Sequence, residues 1–240
     1  MLEIIYQDEN LIAINKPSNL LVHKSLIDRR ETRFAVQILR NQINQYVYPL
    51  HRLDKPTSGV LLFALNKEMA KSMSNIIQAR DTQKEYIAIV RGVTNEKDEI
   101  NYALKEVLDK MTDSKAKQDK EAQKAITEYE RLETIELPFK VGKHETSRYS
   151  LVKLNPKTGR KHQLRRHMKH IFHPIVGDTT HGDLRHTKFF RNQFDCNRLL
   201  LHASKLSFKH PISNQEININ AGFDNIFKVL FEKFNWEIPK

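Results

Sequence analysis

His51-Arg52-Leu53-Asp54-Lys55-Pro56-Thr57-Ser58-Gly59 runs directly into Val60-Leu61-Leu62-Phe63-Ala64-Leu65. The unbroken apolar run, bounded by turn-forming residues, predicts a buried strand. Pro56 and Gly59 punctuate the segment before it, so Asp54 falls on a loop carried by rigid structure, a kind of position that often bears function. By itself, an aspartate between Arg52 and Lys55 in a turn is also what a cap or a surface ion pair looks like.

Outward from this stretch the pattern is of short strands with fewer helices. Leu2–Tyr6 and Leu11–Asn15 flank Gln7-Asp8-Glu9-Asn10 and predict an opening hairpin. Ala35, Val36, Leu39 and Ile43 recur at helical spacing. After Leu65, Asn66 can cap a helix whose buried stripe is Met69, Met73, Ile76 and Ile77. Ile87–Val90, Ala125–Leu132 and Arg148–Leu154 read as strands. The turn Pro156-Lys157-Thr158-Gly159 then leads into a helix facing inward with Leu164, Met168 and Ile171. Leu199–Leu201, Leu206 with Phe208, and Ile217 with Ile219 precede a closing amphipathic helix near Phe227–Phe234. Strands joined by hairpin-length turns predict an α+β fold: a mixed, largely antiparallel sheet with flanking helices and loops. No linker or repeat divides the chain, so one domain over residues 1–240 is expected. Residues 105–124 are dense in mixed charge and read as a solvated helix or loop, the alternative being a clamp that orders on RNA.

Composition narrows the classes. Hydrophobic residues at 39% leave enough material for a core. No apolar run exceeds Val60–Leu65, too short to span a bilayer. The start, Met1 to Glu9, reads as a first strand, not an export signal. Cys196 is the sole cysteine, which excludes an internal disulfide framework and a cysteine-rich zinc site, and a cytoplasmic protein is expected. A net charge of +11 favours a polyanionic partner.

The charge is concentrated. From Thr146 to Gly177 there is no Asp or Glu, while Arg148, Lys153, Lys157, Arg160, Lys161, Arg165, Arg166 and Lys169 share the stretch with His162, His167, His170 and His173. On a helix running from Arg160 onward, Lys161, Arg165 and Lys169 would align at i, i+4 and i+8, a like-charge row that calls for outside anions. Phosphates answer that surplus, and one cation could instead pair with a protein carboxylate. These histidines lie among cations without a neighbouring carboxylate or thiolate, so no metal site is expected. Neither a phosphate-cradling loop nor a dinucleotide fingerprint is present. Lys84-Glu85-Tyr86 opens the strand Ile87–Val90; Tyr86 reads either as a core tyrosine or as a platform for an extruded base.

Taken together, His51-Arg52-Leu53-Asp54 with Thr57-Ser58-Gly59, Lys84-Glu85-Tyr86, and Gly159-Arg160-Lys161-His162-Gln163-Leu164-Arg165 resemble, in order and spacing, the three motifs of the RluA family of pseudouridine synthases. Asn15-Lys16-Pro17, His173-Pro174-Ile175-Val176-Gly177-Asp178 and Leu201-His202-Ala203 extend the likeness over nearly the whole chain. Lys161, where the wider family usually has threonine, and the doubled Arg165-Arg166 agree with the subgroup that modifies uridine 65 of tRNA. The resemblance implies an isomerase without a cofactor, with Asp54 as the essential carboxylate, Arg165 paired to it, and Tyr86 stacked on the flipped uracil and helping to remove the C5 proton. It implies that Arg52 enters the RNA stack, and that His51, Arg160, Lys161, His162, Gln163 and Arg166 support the site or touch RNA. Leu201 is either pocket wall or core. The S4-like RNA-binding domain of some relatives is expected to be absent, and the protein to act as a monomer without an obligate protein partner. Ribosomal RNA is the alternative substrate. A non-catalytic RNA-binding module and a metal-dependent nuclease are rivals from other classes; the first leaves Asp54, Tyr86 and Arg165 without a purpose.

Overall fold

The computed structural model describes residues 1–24, 31–106 and 121–239. Among the described residues, ten strands form one sheet in the order β1-β2-β4-β9-β5-β8-β7-β6, with β3 paired to β4 and β10 to β9. The strands are β1 (Glu3–Gln7), β2 (Leu11–Lys16), β3 (Tyr48–Pro49), β4 (Ser58–Ala64), β5 (Thr82–Arg91), β6 (Lys97–Asn101), β7 (Ile126–Leu137), β8 (Ser147–Pro156), β9 (Leu201–Lys209) and β10 (Glu216–Asn220). Flanking them among the described residues are the helices α1 (Ala35–Ile43), α2 (Lys67–Ala79), α3 (Gln163–His170), α4 (Leu184–Phe194) and α5 (Asn225–Phe234). Among these described strands, the pairings are antiparallel except β4 with β9, where Ser58 faces His202 and Gly59 faces Ala203. The fold is thus α+β on a mixed, largely antiparallel sheet, as the residue pattern indicates.

Alternation along the central strands explains the layering. In β4, Leu61 and Phe63 join the cluster under α1, while Val60, Leu62 and Ala64 join the cluster under α2. In β5, Ile87 and Ile89 pack with α4 and α5, and Ala88 and Val90 pack with α3. Strands covered on both faces read as continuous apolar runs, which is why Val60–Leu65 and Ile87–Val90 stand out. Tyr86 packs against both the α1 and the α3 clusters, at the seam between the two halves of one face. That seam holds the candidate site.

The parallel pairing of β4 with β9 depends on Gly59. Its φ is +111°, and a Cβ there would lie 2.2 Å from the Ala203 carbonyl oxygen. Only glycine lets β4 and β9 approach this closely. Helix α2 starts as expected, with the Asn66 side chain accepting a hydrogen bond from the Met69 amide at 2.8 Å. Helix α4 was not evident from periodicity, because two of its buried residues, His186 and Thr187, are polar.

The charged segment proposed for 105–124 falls mostly on residues 107–120, which lie outside the described residues. Its flanks are joined by a two-way backbone bridge between Leu104 and Gln123, at 2.9 and 3.0 Å. Among the described residues, no helix is long and apolar enough to cross a membrane.

Candidate active site

Asp54 sits on the loop before β4, with the neighbouring Leu53 anchored in the core under α1. A turn hydrogen bond from the Thr57 amide to the Asp54 carbonyl (3.0 Å) fixes the loop. Beneath it lies Lys16, fully buried, whose ammonium donates to the carbonyls of Leu20 (2.8 Å), Pro17 (2.9 Å) and Lys55 (3.2 Å). Burial pushes the Lys16 amine down to about 7, aided by Arg198 and opposed by Asp54. Three carbonyl acceptors match the three N–H donors of the charged form, a second factor besides Asp54 that favours it over the two-donor neutral amine.

Arg165 comes from the first turn of α3, beside the buried Leu164 and Met168 that set the helix on the sheet. Its Nη1 donates to Asp54 Oδ2 at 3.0 Å, and its Nε and Nη2 donate to the two oxygens of Asp178 at 2.8 Å each. Arg165 is 4% exposed and Asp178 1% exposed, whereas the Asp54 side chain keeps 29% exposure. Among the described residues, Asp54 Oδ1 has no hydrogen-bond partner. Burial works against the Arg165 charge, but its bonds to Asp178 and the charge of Asp54 outweigh this and raise its pKa. Burial likewise opposes ionisation of Asp178; Arg165 and the amides of His181 and Thr180 more than offset it and hold the carboxyl below its ordinary range.

Tyr86 stands on β5 at a bulge: Glu85 faces Lys205 but Tyr86 faces Ala203, leaving Ser204 as the extra residue on β9. Bulges redirect side chains, and here the ring reaches the seam. Burial, then the nearby Asp54 charge, holds the phenol protonated well above its usual range. Asp54, Tyr86 and Arg165 therefore share one locality although they are far apart in sequence.

Two histidines complete the surroundings. His162 precedes α3 in a left-handed conformation (φ +55°). Its Nε2 lies 3.8 Å from Asp54 Oδ2, and its Nδ1 is 2.9 Å from His181 Nε2. Burial lowers both rings below their ordinary values, His181 to about 4, so both are neutral at pH 7. Behind the loop, Arg198 donates to Ser58 Oγ (2.7 Å) and pairs with Asp224, and Ser58 Oγ is 2.8 Å from His202 Nδ1. His202 Nε2 lies 3.1 Å from the Ala221 carbonyl. That carbonyl requires the proton on Nε2, so Nδ1 accepts from Ser58.

Several residues expected at an RNA surface are placed otherwise. Gln163 is buried; its amide accepts from Thr158 Oγ1 (2.7 Å) and the Arg160 amide (3.0 Å) and donates to the Ile126 carbonyl (2.9 Å) and Thr127 Oγ1 (3.0 Å). It staples β7 to α3. His51 Nε2 accepts from the Leu62 amide at 3.1 Å, and burial pushes its ring down to about 3. Leu201 is 3% exposed in the core under α3, the core alternative of its two assignments. The helical row of cations does not form: α3 begins only at Gln163, Lys161 is in the preceding turn, and Arg165 points into carboxylates. Arg52 and Lys161 are exposed and Arg160 and Arg166 half-buried; Arg160 Nε donates to the Lys124 carbonyl at 3.2 Å.

The basic stretch's other histidines are engaged singly. His167 lies between Thr127 Oγ1 and the Tyr102 carbonyl, His170 stacks on Tyr102 at 3.6 Å, and His173 donates to the Arg91 carbonyl at 2.8 Å. Asp178 and His181 are the site residues that motif reading left without a role. Their signal was the first carboxylate after a long stretch without one.

Comparison with known proteins agrees with this geometry. The family model described as RNA pseudouridylate synthase matches residues 10–170. Among curated relatives, tRNA pseudouridine synthase C of Vibrio vulnificus (strain CMCP6) is 56% identical over 236 residues, covering 98% of this chain and 96% of the relative. The protein of that description from Haemophilus influenzae (strain ATCC 51907 / DSM 11121 / KW20 / Rd) is 52% identical over 237 residues, covering 99% of each. The solved structure of Human RNA Pseudouridylate Synthase Domain Containing 4 superposes with a TM-score of 0.72 at 26% identity, covering 99% of this chain and 95% of that one. The chain belongs to the RluA-type RNA pseudouridylate synthase family.

Proposed function

We propose that the chain isomerises uridine to pseudouridine in tRNA, at uridine 65, as a cytoplasmic monomer without a cofactor. The observation that carries the reading is the 3.0 Å bond from Arg165 to Asp54 Oδ2, made by a guanidinium already fixed by Asp178. A carboxylate aimed by a buried arginine, with Oδ1 left for the nucleoside, suits covalent or ribose-directed catalysis. The reaction breaks the N1–C1′ bond, turns the base and forms the C5–C1′ bond; a proton leaves C5 and N1 ends protonated. The leaving base is reused in the pocket, so one carboxylate suffices where glycosidases take two.

In this reading Tyr86 stacks on the uracil. Its phenol stays protonated beside Asp54, so it serves as a platform and hydrogen-bonding group more readily than as a base. Arg52, exposed on the Asp54 loop, enters the RNA stack in place of the extruded base. Arg160, Lys161 and Arg166 supply basic charge along the approach to α3, while His51, Gln163 and Leu201 hold the frame.

The tRNA assignment is supported by the relatives described as tRNA pseudouridine synthase C. Mapping pseudouridines in tRNA and ribosomal RNA from cells lacking the gene tests it. Loss at tRNA position 65 alone is expected. Loss from ribosomal RNA with tRNA unchanged would reassign the substrate.

A further inference from the structure

Next to the Asp54 site, on the far side of the histidine pair, is a cleft of about 550 Å³ whose walls include Arg91, Lys169, Phe172, His181, Leu184 and Arg185. Phe172 is the residue that asks for an explanation. It follows α3 in the left-handed region, with φ +64°. The His173 amide donates to the Met168 carbonyl at 2.8 Å and the Phe172 amide to the Lys169 carbonyl at 3.0 Å. This is the paired bonding of a Schellman helix end, and Phe172 occupies the position that glycine fills by preference. Yet Phe172 is 79% exposed. A bulky residue has been placed where the backbone favours glycine, and the folded chain does not bury its ring. Arg91 Nη2 adds a 3.1 Å bond to the Phe172 carbonyl, so the turn is held.

The rest of the cleft gives the ring a context. Leu184, 63% exposed, supplies a second apolar wall. Arg91, Lys169 and Arg185 bring three positive charges against the single carboxylate of Asp183, which pairs with Arg91 at 2.7 Å and Arg185 at 2.9 Å. An exposed aromatic plane beside surplus positive charge is the arrangement that accepts a nucleotide, base on ring and phosphate on cation. The cleft is also linked to the site through side chains: His181 lines it and meets His162 at 2.9 Å, and His162 faces Asp54 at 3.8 Å.

We infer that this cleft holds a second nucleotide of the substrate RNA, outside the target uridine, with its base on Phe172 and its backbone against Lys169 and Arg185. The inference rests on the proposed RNA-modifying function and deepens it: the cleft sets the register of the strand on the site.

The test is Phe172→Gly, which removes the ring while keeping, or easing, the left-handed turn. Equilibrium binding of an unmodified tRNA transcript at fixed salt and steady-state pseudouridine formation are both measured, with thermal melting to confirm the fold. The variant is expected to melt no lower than wild type, to bind the transcript about tenfold more weakly, and to show a corresponding rise in KM. Phe172→Trp restores binding. Lys169→Gln lowers the salt dependence of log K by about one. Tyr46→Gly, which removes another exposed ring (71%), changes neither quantity and serves as the control. Unchanged binding and KM in a folded Phe172→Gly protein would overturn the inference, as would a loss that tryptophan does not repair. If wild type bound the transcript but formed no pseudouridine, the functional reading would fail separately, and the binding comparison would still decide the cleft.

Discussion

Arg165 donates three hydrogen bonds to two carboxylates, and the two are not equivalent. Asp178 is buried and bidentate at 2.8 Å, whereas Asp54 is partly open to solvent and takes one bond at 3.0 Å. Asp178 thus fixes the guanidinium plane, and Arg165 in turn aims Asp54. Removing one partner of a buried ion pair is strongly destabilising because it leaves an uncompensated charge. Asp178→Asn is expected to lower the unfolding free energy by about 3 kcal/mol, measured by urea denaturation, and to reduce pseudouridine formation more than RNA binding. A variant as stable and active as wild type would show that Asp178 does not anchor the pair. The Asp54–Arg165 pairing was an expectation carried by the family resemblance. Asp178 was not: it lies thirteen residues beyond Arg165, in a turn after α3, and only folding brings it back beneath the helix. Gln163 misled for the complementary reason, since a polar residue in a basic run looks exposed until its four partners are seen.

Among the elements, the junction of β4 with β9 decides whether a site exists. It sets the Asp54 loop beside the bulge that turns Tyr86, and it depends on the missing Cβ of Gly59. Gly59→Ala would drive a methyl to 2.2 Å from the Ala203 carbonyl oxygen. Loss of soluble, cooperatively folding protein is expected, read by circular dichroism and melting. Gly142→Ala, where nothing lies within 4 Å, is expected to melt as wild type. The hairpin β1–β2, the doubly buried β4 and β5, the capped α2 and the closing α5 were all legible because their periodicity or caps are local. Helix α4 was hidden by its polar inner face, on which His186 Nδ1 meets the Tyr149 hydroxyl at 2.8 Å. The row Lys161–Arg165–Lys169 failed because His162 adopts φ +55° and delays the helix.

For the molecule as a whole, buried neutral histidines tie stability to pH. His202 and His181 have pKa values pushed down to about 4, chiefly by burial, against about 6.5 for an unfolded histidine. Between those values the unfolded chain binds more protons than the folded one, so stability is fully present above pH 6.5 and is lost as pH falls toward 4. His202 alone, 1% exposed, contributes roughly 3 kcal/mol over that window. A steady fall in melting temperature from pH 6.5 to 4 is expected, with His202→Gln flattening part of the slope. Equal slopes in the two proteins would show that His202 is not held neutral. Net charge and its concentration near α3 pointed to a polyanion from the sequence alone; how Asp178 and Asp54 divert Arg165 from that surface emerged only in three dimensions.

The central claim is that Asp54, aimed by Arg165, performs the isomerisation. Its most direct test is to incubate unmodified tRNA with purified wild type and with Asp54→Asn, then digest the RNA and separate its nucleosides, with RNA binding measured in parallel. Pseudouridine is expected from wild type and none from Asp54→Asn, at similar RNA affinity. Pseudouridine formed by Asp54→Asn at a rate near that of wild type would contradict the claim.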